Sequence, residues 1–101
     1  MKKSKMKIYI AGKITGLPIE VAFDAFEKAE KYLASEGYEP VNPMKLPHLH
    51  GRTWNEYMIE CLEALKQCDA IYMMPGYVNS VGACVEHEVA RTMRLKVIYA
   101  R

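Results

Sequence analysis

The sequence predicts an α/β fold: a small parallel sheet of about four strands, covered by helices on both faces in a three-layer sandwich. Three observations predict it. Short apolar, β-branched runs alternate with longer segments of helical period along the whole chain. The strand-like runs are apolar on both sides, as in a parallel sheet buried on two faces. Glycine or proline punctuates most of the junctions.

Taken in order, residues 7–11 (KIYIA) read as the first strand. A loop bracketed by Gly12 and Gly16 follows, and Leu17-Pro18 opens the first helix, with proline in the first turn, where its missing N–H costs little. Ala22, Ala25, Phe26, Ala29, Tyr32 and Leu33 recur at helical spacing and are expected to be buried. Gly37 supplies the left-handed residue after the helix. Residues 38–41 form a second strand, stopped by Asn42-Pro43. The segment 44–52 holds Pro47, His48, His50 and Gly51, has no period, and reads as a functional loop or lid. Thr53-x-x-Glu56 is a capping box, and Trp54, Met58, Cys61, Leu62 and Leu65 are expected to face inward on the second helix. Residues 69–74 form the third strand, broken by Pro75-Gly76. A third helix over about 81–94 is expected to face Val85, Val89 and Met93 inward, and 96–100 is the fourth strand.

The 101 residues suit one domain over 1–101, with a basic, solvated tail at 1–6 carrying Lys2, Lys3 and Lys5. A net charge of +2 is too small to argue for a nucleic-acid partner. No apolar run approaches the ~20 residues of a membrane span, and the start is not patterned as a signal peptide. Cys61, Cys68 and Cys84 form neither C-x-x-C nor a Cys/His metal spacing, and His48 and His50 lack a third ligand. Reduced thiols in the cytoplasm are expected, with Cys84 as a small buried residue. Neither a metal nor an organic cofactor is called for.

In open α/β sheets, ligands bind beyond the carboxyl ends of the strands, where the strand order switches. In a flavodoxin-like order that point lies between the first and third strands, so loops 12–16 and 75–82 are expected to meet. The first loop can bring backbone close to an anion, with Lys13 and Thr15 as added donors. Its spacing is neither G-x-G-x-x-G nor a P-loop, which removes dinucleotide and P-loop NTPase readings; a tight turn explains it equally well. The stretch 79–90 (NSVGACVEHEVA) says more. Asn79 or Ser80 can cap the third helix, Gly82 and Ala83 leave room for a ligand, and the unpaired N–H groups there can hold a phosphate. They are also expected to keep Glu86 ionised. On these residues a surface carboxylate complementing the helix dipole and a catalytic carboxylate stand equal. Tyr9 is either a core tyrosine or a donor that holds a carboxylate. Trp54, Tyr57 and Tyr77 could stack a base, and one of Glu56, Glu60 and Glu63 could act as an acid.

Together, Tyr9-Ile10-Ala11-Gly12, Asn42-Pro43, Cys68-Asp69 and Ser80-Val-Gly82-Ala83-x-x-Glu86-x-x-x-Ala90 resemble the nucleoside 2-deoxyribosyltransferase superfamily, over nearly all of residues 6–100. The resemblance implies a flavodoxin-like fold and cleavage of an N-glycosidic bond, by hydrolysis or base exchange, through a covalent glycosyl-Glu intermediate. It assigns Glu86 as nucleophile, Tyr9 as the residue that orients it, and a carboxylate near Glu60 as the acid. The residues and the resemblance together give the expected substrate contacts: Gly12, Lys13, Thr15, Gly16, Asn42, Trp54, Asn79, Ser80 and Gly82. Family members acting on free nucleosides carry Asp where this chain has Ser80, whereas those hydrolysing nucleoside 5′-monophosphates carry Ser. A hydroxyl donates to phosphate where a carboxylate repels it. The expected partners are therefore a nucleoside 5′-monophosphate, or a nucleoside, and further copies of the chain in a dimer or tetramer. The rival expectation is a nucleotide-binding module that uses the same cradle without turnover.

Overall fold

The computed structural model describes residues 5–46 and 53–100. Its elements run β1 (Lys7–Ala11), α1 (Ile19–Ser35), β2 (Glu39–Val41), α2 (Trp54–Leu65), β3 (Ala70–Met73), α3 (Val81–Thr92) and β4 (Lys96–Tyr99). Single 3-10 turns at Pro43–Lys45 and Tyr77–Asn79 precede α2 and α3. The four strands are parallel in the order β2-β1-β3-β4, so the α/β, flavodoxin-like reading holds. The order switches between β1 and β3, which pair from Ile8↔Ala70 to Ala11↔Met73.

Alternation along the strands divides the core. Ile8, Ile10 and Ala70 pack with Phe26, Ala29 and Leu33 of α1. Tyr9, Ala11, Ile71 and Met73 face the other way, onto Cys61 and Leu65 of α2 and Ala83 and Ala90 of α3. The helix ends follow their sequence signals. The capping box forms, with Glu56 N–H donating to Thr53 Oγ1 at 3.1 Å and Thr53 N–H donating to Glu56 Oε1 at 2.8 Å. Gly37 takes φ +92° after α1, and Tyr38 N–H reaches back to the Leu33 carbonyl.

Several expectations are corrected. Pro18 is the N-cap of α1, and the helix starts at Ile19. Tyr32 is exposed at the edge of α1. Trp54, expected inward, is 47% exposed in the first turn of α2. α3 is turned from its expected orientation: Ala83, Glu86 and Ala90 are buried, while Val85 and Met93 are exposed. Val89 packs against the core as expected, but small residues let α3 lie close to β3 and α2, and Val81 and Val85 are left outside. Cys84 follows the valines outward and is exposed. The first four residues of the expected basic tail lie outside the described residues, as do Pro47, His48, His50 and Gly51 of the expected lid.

Candidate active site

The carboxyl ends of β1 and β3 and the start of α3 enclose a cavity of about 260 Å³. Its lining comprises Gly12, Ile14 and Thr15 from the loop after β1, Trp54 and Met58 from α2, and Asn79 to Ala83 with Glu86. The two loops do meet: Lys13 Nζ donates to the Asn79 carbonyl at 3.4 Å.

The start of α3 is set by its own side chains and turns. Gly76 adopts φ +81° and launches the 3-10 turn that delivers Ser80 in extended conformation. Ser80 is the N-cap, and its Oγ accepts from Ala83 N–H at 3.1 Å. Ser80 N–H itself is bonded to the Tyr77 carbonyl. Of the helix-start donors, Val81 and Gly82 N–H therefore remain for a ligand, in the cavity wall. The Ser80 O–H proton is likewise free to donate, because its cap uses the oxygen as acceptor.

Glu86 lies in the second turn of α3 and is 6% exposed. Tyr9 Oη donates to Glu86 Oε2 at 2.6 Å across the sheet–helix interface. The phenol is completely buried beneath the carboxylate, so the pair spans from core to cavity floor. Burial pushes the Glu86 carboxyl up to about 7; the Tyr9 bond acts in the opposite direction and offsets only part of that rise. Burial thus works against the ionised form that the helix start was expected to favour. Helix-start fields fade within the first turn, and Glu86 is beyond it, so desolvation wins. Burial, first, and the Glu86 charge, second, hold the Tyr9 phenol well above its ordinary range. Tyr9 therefore stays a donor. The Cys61 thiol lies in the same buried cluster and is pushed up to about 11, chiefly by burial.

The other expected site residues fall into two groups. Thr15, Trp54, Asn79, Ser80, Gly82 and Gly12 line the cavity. A Cβ on Gly12 would come within 2.7 Å of Met74 Sδ and 3.3 Å of Phe26 Cζ, so close packing accounts for this glycine. Gly82 abuts Met58, with 3.1 Å between an added Cβ and the thioether sulfur. Gly16 shapes the loop at φ +89° and does not line the cavity, nor do Lys13, Asn42 and Glu60. Asn42 is buried, with its Nδ2 donating to Glu30 Oε1 at 3.1 Å and its Oδ1 accepting from Met44 N–H. Its side chain holds the turn after β2 to α1. Met58 was read in the sequence only as core, although it sits one turn beyond Trp54 on the same face. Among the described residues, no group of three His, Cys, Asp or Glu side chains is placed to hold a metal ion. Nor is any described helix long and apolar enough to cross a membrane.

Residues 6–99 match the family described as DUF4406, a domain of unknown function. The chain belongs to that family. Among curated proteins, none matches it. Among solved structures, it is similar to a 2-deoxyribosyltransferase from Bacillus psychrosaccharolyticus, with a TM-score of 0.70 at 20% identity. The match covers 92% of this chain and 70% of that one. It is also similar to the CMP N-glycosidase BcmB of Clostridium botulinum, with a TM-score of 0.59 at 21% identity, over 92% of this chain and 66% of that one. The resemblance read from the sequence thus holds at the level of the fold.

Proposed function

We propose that the protein cleaves the N-glycosidic bond of a nucleoside 5′-monophosphate, with Glu86 as nucleophile. The observation that carries this reading is the buried Tyr9–Glu86 pair, set under a cavity whose wall is the start of α3. Tyr9 fixes Oε2 and leaves Oε1 for attack on C1′ of the sugar. The C1′–N bond breaks and its electron pair departs with the base. Water or a second base then attacks C1′ and frees the carboxylate, with net retention of configuration. Val81 and Gly82 N–H and the Ser80 and Thr15 hydroxyls suit a 5′-phosphate, whose charge the helix start favours. Lys13 sits at the rim on a long bond to Asn79 that a phosphate oxygen can replace. That two structures of the same fold are named as a deoxyribosyltransferase and a CMP N-glycosidase supports this chemistry.

The same reading takes the chain as a cytoplasmic homo-oligomer. Support comes from the apolar side chains on the outer surface: Val81, Val85 and Met93 of α3 and Ile59 of α2 are all exposed. Light scattering of the purified chain reads this directly, and a monomer at working concentration would contradict it.

The test of activity is release of free base from a panel of nucleotides by the wild type and by Glu86→Gln. Release by the wild type and not by the variant is expected. Release that survives the substitution would remove Glu86 as nucleophile. Tight binding without release by either protein would make the chain a nucleotide-binding module.

A further inference from the structure

Resting on the N-glycosidase reading above, we propose that the cavity is built for N-glycosides whose base is positively charged. An N-ribosylpyridinium 5′-monophosphate represents the class.

The argument begins with the leaving group. An uncharged base leaves with an extra electron pair and needs a proton from a neighbouring acid, a contribution of about 10²–10⁴-fold. Among the described residues, Glu86 is the one ionisable side chain that lines the cavity. As nucleophile it cannot protonate the base in the same step. Tyr9 is sealed beneath it, with its proton directed to Oε2. The Thr15 and Ser80 hydroxyls and the Asn79 amide are donors, not acids of carboxylic strength. A cationic base removes the requirement. Glu86 Oε1 bonds to C1′, the C1′–N bond breaks, and the electron pair cancels the positive charge on the ring nitrogen. The base departs neutral and no proton moves. Water then replaces Glu86 at C1′, and its proton goes to solvent.

The walls complement the same ligand. Trp54, the side-chain type that attracts cations most strongly, lines the cavity, and Met58 adds a polarisable sulfur. Among the described residues no cationic side chain lines the cavity, and Lys13, just outside the lining, is drawn to the Asn79 carbonyl. A positive ring beside Glu86 would also favour its ionised form, the form that attacks. The substrate thereby charges its own nucleophile.

The experiment compares nicotinamide mononucleotide with cytidine and uridine 5′-monophosphates, following released base by chromatography with Glu86→Gln as background. The expected kcat/KM for the pyridinium substrate exceeds the others by at least about 100-fold, the lower end of what a general acid supplies. Trp54→Leu is expected to narrow that ratio, by raising KM for the cationic substrate more than for the neutral ones. Comparable rates on all three, or faster release of cytosine or uracil, would overturn the inference and leave the N-glycosidase reading standing. No release from any of them, nor from the wider nucleotide panel, would remove both.

Discussion

On the α1 side of the sheet, Ile8, Ile10, Phe26, Leu33 and Ala70 form an apolar core. On the α2–α3 side, the same strand β1 places Tyr9 against Glu86, with Cys61 alongside. One face is closed by packing. The other carries a buried carboxylate whose charge is disfavoured by its surroundings and only partly compensated by one hydrogen bond. Successive residues of one strand thus divide between an apolar core and the proposed site, because their side chains point to opposite faces. Substitutions on the two faces are expected to separate activity from stability.

Glu86→Gln gives the largest effect. Loss of the proposed nucleophile is expected to lower kcat/KM by at least about a thousandfold. Stability moves the other way. The folded Glu86 carboxyl, at about 7, lies above its unfolded value near 4.3. Its contribution is complete below the unfolded value and is lost as pH rises through the folded one. The variant has nothing to titrate there. Urea titrations at pH 5 and pH 8 should show the variant gaining on the wild type at pH 8, by on the order of 3 kcal/mol.

Phe26→Ala is the converse on the α1 face. Emptying a completely buried site should cost about 3–5 kcal/mol in urea unfolding and, per folded molecule, lower kcat/KM far less than Glu86→Gln does. Tyr9→Phe removes one hydroxyl from the active face. A hydrogen bond to a charged group is worth about 1.5–3 kcal/mol, so kcat/KM should fall about 10–100-fold. In the wild type, kcat/KM should rise with pH through about 7, as Glu86 ionises. In Tyr9→Phe that midpoint should move upward, because the lost bond favoured the ionised form. An unmoved midpoint would mean that another group controls the profile. The smallest stability effect falls on the helix start: Ser80→Ala should cost about 1 kcal/mol through the lost cap to Ala83. The same variant should raise KM for a 5′-monophosphate more than for the matching nucleoside, which lacks the phosphate.

Much of the fold was legible because local and global signals agree. The capping box at Thr53, the left-handed Gly37 and the apolar strands all sit where local chemistry puts them. The orientation of α3 was not, because hydrophobicity pointed to Val85 and Met93, whereas packing chose the small residues Ala83 and Ala90. The spacing of Ala83, Glu86 and Ala90 was visible, but only a helix lying tight against a sheet gives it meaning. At the site, Glu86 and Tyr9 could be paired in advance through a resemblance, and their 2.6 Å contact is consistent with it. The protonation of Glu86 could not be read that way. It depends on how much water surrounds the second turn of α3, and no residue spacing records that. Gly12 carries the same lesson: its sequence context suggested an anion, and its surroundings show two side chains in the way of any Cβ.

The most direct test of the central claim is acid-quenched mass spectrometry of the protein during turnover of a nucleoside 5′-monophosphate, with peptide mapping. The expected result is a pentosyl phosphate ester on the peptide containing Glu86, absent from Glu86→Gln. Rapid base release with that peptide unmodified, and equal release by Glu86→Gln, would contradict it.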